Sequence, residues 1–333
     1  MIKGIYKLIC VFILLLSAGC EKTFRPADIP TVLPQIMLFS PDSPFNTPIS
    51  ANPPIDPNSD KMVISLIEDA NNKGFFVALR SYSETVWFAG PDTPLHDVIL
   101  TASWAPKRKL LNVPIPDYAV ADPSTDGEMV IIDTINGCEY DFWQIRKVYG
   151  HWYASWGNAL PLNGSGVFEK GMSARGSGFA LTAGIMWPHE FKKKAINHAL
   201  VFTFDFTKSG GPVYPATESD GTTDAVTAIP EGALIQLNPD LDLDTLGLSD
   251  YEYPIAVALQ KYGMYLCDDG GGLELEAVNP LSVTGNPYDG LLPDVEYVPI
   301  LHIPVNEFRV LKLPPQDGTT EPQIVPNSCA DFY

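Results

Sequence analysis

Ala199-Leu-Val-Phe-Thr-Phe-Asp-Phe206 is apolar at every position but two, and it combines a β-branched valine with three phenylalanines. Such a composition fits a strand buried at the centre of a sheet. Similar short runs surround it, broken by Gly, Pro and Asp: Phe75 to Arg80, Val98 to Ser103, Met129 to Asp133, Glu139 to Ile145, Trp152 to Trp156, Met264 to Cys267 and Leu273 to Val278. Strands joined by turns are the economical reading. Thirty-one prolines argue against long helices,. Two short ones are still expected. Met62, Val63, Leu66, Ile67 and Ala70 recur at helical spacing after Asp56-Pro57-Asn58-Ser59, and Asn71, Asn72 and Gly74 end the pattern,. Ile255, Ala258, Leu259 and Tyr262 form a second face, preceded by Ser249-Asp-Tyr-Glu252, a capping-box pattern, although Pro254 equally suits a first turn,. A further short turn or helix is expected from Pro188 to Lys194. Asn163 to Gly184, with six glycines and little charge, reads as a long irregular loop,.

The expectation is therefore a mainly β chain, a β-sandwich or jelly-roll-like single domain with a few short helices. The apolar content of 45% is enough for a large core,. No internal repeat or linker divides the chain.

The N-terminus has three zones: Lys3 and Lys7 near the start, an apolar stretch from Leu8 to Leu16, and small residues before Cys20. That is the layout of a secretory signal, and its apolar run falls short of the roughly 20 residues needed to span a bilayer. Leu16-Ser-Ala-Gly-Cys20 resembles the lipobox of bacterial lipoproteins. This resemblance implies cleavage after residue 19, acylation of Cys20, and an address in the cell envelope, at the outer membrane or cell surface. Residues 20–41, rich in proline and threonine, are expected to be a tether, and residues 42–333 the β-rich domain. The only membrane contact expected is the lipid. Loss of the first nineteen residues removes two lysines and no acid, taking the formal charge from −19 to −21. Such a surface repels phosphate backbones, which excludes nucleic acid as a partner. Cys138, Cys267 and Cys329 remain in the body, allowing one disulfide at most, and no Cys/His spacing suits zinc,.

Several blocks of the body carry a second resemblance: Phe45-Asn-Thr-Pro-Ile49, Ile55-Asp-Pro-Asn-Ser59, Tyr140-Asp-Phe-Trp143, Thr182-Ala-Gly184, Glu190, His198-Ala-Leu200, Tyr214-Pro-Ala216, and Ala258-Leu-Gln-Lys-Tyr-Gly-Met264 followed by Asp268-Asp-Gly270. Together they resemble a family of secreted bacterial proteins, mostly without assigned activity. Pro215-Ala-Thr-Glu218 departs from that family's pattern, which has a histidine near its end. A looser fold-level analogy runs to jelly-roll polysaccharide lyases and glycoside hydrolases.

Sugar rings stack on aromatic faces, and Trp143, Trp152, Trp156 and Trp187 with His189 are the candidate substrate contacts. Core filling is the competing role for each. Glycoside hydrolysis needs two carboxylates, and burial suits a carboxyl to acid work. Asp141 between Tyr140 and Phe142, and Glu190 after Trp187-Pro188, meet that description. Asp268 with Asp269, ending a strand before three glycines, is a further candidate; a turn or cap role competes for each of these acids, most strongly for the Asp268 pair, and Asp220 reads as a turn residue,. Elimination would need a base, for which His198 or Tyr214 is available, and a cation such as Arg175 to neutralise a uronate carboxylate. No cofactor is expected. Calcium is weighed only for Asp240-Leu-Asp-Leu-Asp244, where Thr245 stands in place of the glycine of an EF-hand loop,.

The reading is an extracytoplasmic, lipid-anchored enzyme that cleaves a polysaccharide or oligosaccharide, with hydrolysis ahead of elimination. Glu190 and Asp141 are its acid and nucleophile or base, and His198 and Arg175 orient the substrate. The alternative is a glycan-binding surface lipoprotein without catalysis.

Overall fold

The computed structural model describes residues 29–316 and 327–333. The signal segment and Cys20 lie outside the described residues. The chain is mainly β, with fifteen strands in three sheets and three short helices among the described residues, in agreement with the sandwich expected from sequence. The largest sheet has seven strands in the order Tyr297–Pro299, Phe75–Ala78, Leu273–Glu276, Leu200–Thr203, Met264–Asp268, Leu234–Leu237 and Phe308–Val310. The second runs Thr85–Ala89, Met129–Asp133, Cys138–Trp143 and Trp156–Pro161. The third runs Lys109–Pro114, Leu95–Leu100, His151–Ala154 and Arg146–Val148.

Alternation along the strands stacks these sheets in layers. Leu200 and Phe202 face one side of the large sheet, with Met264 and Leu266, and meet Met62, Val63 and Leu66 of helix α1 (Ser59–Lys73) and Ile255 and Leu259 of helix α3 (Glu252–Lys261). Val201, Tyr265 and Cys267 point the other way, against Val86, Val130 and Ile132 of the second sheet,. That sheet's opposite face, carrying Trp87, Met129 and Ile131, packs on Val98, Leu100, Leu110 and Trp152 of the third. Strand Met129–Asp133 is thus buried on both faces, which explains its unbroken apolar run,. Each fully buried Leu, Val or Phe contributes about 1.5–3 kcal/mol.

The expected helices form. Ahead of α3, Ser249 N donates to Glu252 Oε2 at 2.8 Å while Glu252 N donates to Ser249 Oγ at 3.4 Å, so the reciprocal contacts of the capping box form, with Tyr251 at the N-cap position and Pro254 inside the first turn,. Residues Pro188–Lys193 form the short helix α2. Cys138 and Cys329 form the disulfide, tying the C-terminal end to the second sheet, and Cys267 is a buried free thiol.

The tether expected up to residue 41 needs correction. Leu33 and Phe39 are buried in the middle core, Thr284 N donates to the Pro30 carbonyl at 2.8 Å, and Ser40 N donates to that of Gly164 at 2.8 Å. Burial of two large apolar side chains docks the segment, whatever its proline content.

Candidate functional site

The sheet ends surround a cleft of about 1030 Å³. Its carboxylates come from positions where an apolar strand begins or ends: Glu128 precedes Met129–Asp133, while Asp268 and Glu276 close Met264–Asp268 and Leu273–Glu276. A charged residue abutting a strand buried on both faces can reach water only at the strand's end, and this places the acids together. Asp126, Glu218, Asp220, Asp269 and Glu274 bring the acidic lining residues to eight, against Lys170 and Arg175 as the only basic ones.

Arg175 is the hub. It sits in the glycine-rich loop, which Phe179 and Leu181 anchor in the middle core. Gly178 permits the loop's path: its φ is +86°, and an added Cβ would lie 2.0 Å from Thr217 Oγ1,. Arg175 Nη2 donates to Glu276 Oε2 at 2.6 Å and also to Glu84 Oε1. All three residues are buried. Arg175 Nη1 and Glu84 Oε2 have no hydrogen-bond partner among the described residues. Burial pushes Glu84 well above the ordinary carboxylate range, with the charge of Glu276 adding to it,. Burial likewise pushes Glu128 well up, Arg175 opposing the shift and Glu276 and Asp268 reinforcing it. Asp268 is raised to about 7 by burial and by the charge of Asp220.

Tryptophans share the lining of the cleft. Trp104 stands 60% exposed, its ring 6.5 Å from Trp143 and 5.9 Å from Trp156. Trp143 Nε1 donates to Asp126 Oδ1 at 3.1 Å and Trp156 Nε1 to the Met172 carbonyl at 3.2 Å, so the polar edges are engaged and the Trp104 face is left open. Tyr82 and Tyr297 also line the cleft.

The sequence-predicted residues separate into groups. Arg175, Trp143 and Trp156 meet in this cleft. Trp187, His189, Glu190 and His198 gather in a second recess of about 420 Å³. There Glu190 Oε2 accepts from Trp187 N at 2.8 Å, and Glu190 Oε1 lies 3.0 Å from His198 Nε2. Burial lowers the His198 pKa, but the Glu190 charge together with hydrogen bonds to Glu190 and to the Ala199 carbonyl outweighs this and raises it. Asp141 reaches neither recess and is corrected as a catalytic candidate. It has no exposed surface, Oδ2 accepts from Leu181 N at 2.8 Å, and burial followed by the charge of Glu139 pushes it well up. With Glu139, which accepts from Thr182 N and Oγ1, it pins the glycine-rich loop to the second sheet. Trp152 fills the core between the second and third sheets. Tyr214 precedes a cis peptide to Pro215 and stands outside the cleft lining. His198 and Arg175 line different recesses, so the base and cation of an elimination site are not gathered.

Sequence reasoning missed Glu84, Glu128, Glu276, Glu218 and Trp104, and it gave Asp220 to a turn and favoured a turn or cap for Asp268. The available signal was an acid directly abutting a wholly apolar strand, as in Glu128-Met-Val-Ile-Ile132.

For a metal, the acidic run at Asp240–Asp244 does not converge. Asp240, Asp242 and Asp244 are exposed, and Asp242 Oδ1 accepts from Asp244 N at 3.1 Å as a helix cap. Among the described residues, the group that converges is Asp220, Glu231 and Asp268. No family model, curated protein or solved structure matches the chain.

Proposed function

We propose that this chain cleaves a polysaccharide outside the cytoplasm by glycosidic hydrolysis, anchored through a lipid on Cys20. The observation that carries the reading is that tryptophans and a cluster of carboxylates line one and the same cleft. Trp104 offers a sugar ring its open face. Glu128 keeps its proton because burial disfavours the anion, and it gives that proton to the leaving glycosidic oxygen,. Glu276, held by Arg175, is the second carboxylate, which attacks the anomeric carbon or draws a proton from the incoming water,. Arg175, itself buried, acts through Glu276, which it holds in place.

Charge separates hydrolysis from elimination. Eight acids against two bases would repel a uronate chain, so the cleft suits a neutral or cationic glycan,. A panel of neutral, cationic and uronate polysaccharides tests this. New reducing ends without ultraviolet-absorbing unsaturated uronates are expected from the first two groups. Unsaturated products would replace hydrolysis by elimination, and binding without any product would leave a glycan-binding lipoprotein. Lipid labelling of Cys20→Ser tests the anchor separately, since undiminished label would remove it from the reading.

A further inference from the structure

Beside the catalytic carboxylates lies a second acidic group with different geometry. Asp220 and Asp268 line the cleft, and Glu231 stands behind them with no exposed surface. One carboxylate oxygen from each can be chosen so that all lie within 4.8 Å of one another. Acids cluster often without a ligand, so the decisive features are two others.

The first is an unanswered oxygen. Glu231 Oε2 accepts from Asp220 N at 3.2 Å, but Glu231 Oε1 is buried and has no hydrogen-bond partner among the described residues. A buried carboxylate oxygen with no donor is costly unless a cation or a proton reaches it. The second is the space it faces. A Cβ added to Gly176 would lie 3.1 Å from Glu231 Oε1, 3.0 Å from Asp268 Oδ1 and 3.2 Å from Asp220 Cγ. Gly176 does not have a positive φ, so no backbone requirement explains a glycine there. What the missing side chain preserves is room at the point where three carboxylates converge.

We propose that Asp220, Glu231 and Asp268 hold a calcium ion at the wall of the cleft. Calcium takes six to eight oxygens at about 2.3–2.6 Å, so oxygens on opposite sides of it lie up to about 5 Å apart, which accommodates this cluster. Magnesium keeps most of its water and uses one or two carboxylates, whereas a cage of three suits calcium. Asp220 and Asp268 border open space, leaving positions for water or sugar hydroxyls. Without the ion, burial and the charges of Asp220 and Asp268 push Glu231 up to about 10, Ser219 opposing, and protons must take the cation's place.

The test uses the full-length chain, stripped with a chelator and dialysed, and its readout is occupancy, so it stands apart from catalysis. Titration calorimetry with calcium chloride should show one site per chain, and magnesium chloride should bind far more weakly. Glu231→Gln and Gly176→Ala should each weaken calcium binding by at least the roughly 10- to 100-fold that losing an outer support costs a metal site. Asp240→Asn with Asp244→Asn should bind as the parent does. No heat of binding with the parent chain, equal affinity for magnesium, or parent-like binding by Glu231→Gln would each overturn the proposal.

Discussion

Glu252 and Glu231 are both glutamates with no exposed surface, yet the fold treats them in opposite ways. Glu252 accepts from Ser249 N and Oγ, from the backbone N–H of Leu301 and His302, and from His302 Nδ1, all between 2.6 and 2.9 Å. Burial would raise its pKa, but these bonds outweigh it and hold the group down at about 2. Glu231 faces two other acids with one oxygen unanswered and is pushed up to about 10. Burial by itself therefore does not mark a functional carboxylate. Donor supply separates these two: Glu252, given every donor it can use, is a joint of the fold, and Glu231, left short beside a cleft, is free to take a proton or a cation,.

The comparison can be broken most directly by exchanging the assays. Glu128→Gln, at a carboxylate whose pKa burial raises, should lower turnover by about 10²- to 10⁴-fold while glycan affinity and stability persist,. Unchanged turnover would remove Glu128 from the mechanism. Glu252→Gln should do the reverse and cost about 3 kcal/mol in chemical denaturation, because it strips charge from a carboxylate with five donors. A loss below about 1 kcal/mol would mean those bonds contribute little beyond a surface cap.

Acid sharpens the same contrast. The Glu252 pKa is lower in the folded than in the unfolded state, so its stabilisation is present above about 4.5 and is lost as pH falls towards about 2,. Unfolding free energy should decline by an amount of the order of 3 kcal/mol across that window, and Glu252→Gln should lack this part of the slope. Identical slopes for the two chains would place the acid sensitivity elsewhere. The smallest effect concerns the cleft's tryptophans: Trp104→Ala should weaken glycan binding by about 1 kcal/mol, roughly fivefold, in affinity electrophoresis. Undiminished affinity would move the sugar platform away from Trp104.

The parts of the fold legible in sequence are those governed by local pattern. Met129–Asp133 appears with its expected bounds because a run of four apolar residues, three of them β-branched, has few other uses,. Helix α1 ends before Gly74 as its spacing predicts, and Ser249 with Glu252 makes the expected contacts three residues apart ahead of α3. Arg175, Trp143 and Trp156, singled out in sequence by a cation among glycines and by crowded aromatics, do line one cleft. Asp141 does not, since its apolar neighbours read the same whether the strand opens on a cleft or lies between two sheets. Glu276 shows the limit: in Leu273-Glu-Leu-Glu276 both acids occupy alternating positions, and only sheet stacking brings the second to Arg175.

By itself, the sequence determined a mainly β chain rich in turns, an acidic surface, and the segments that become strands and helices. These follow from side-chain size, alternation and charge over a few residues. Four strand pairings are parallel, among them Phe75–Ala78 with Leu273–Glu276, joining segments almost two hundred residues apart. The layering of three sheets, the meeting of Glu84, Arg175 and Glu276, and the different fates of Glu231 and Glu252 were settled only by tertiary structure. The physical reason is that a buried charge answers to whatever donors and charges surround it, and those arrive from distant parts of the chain.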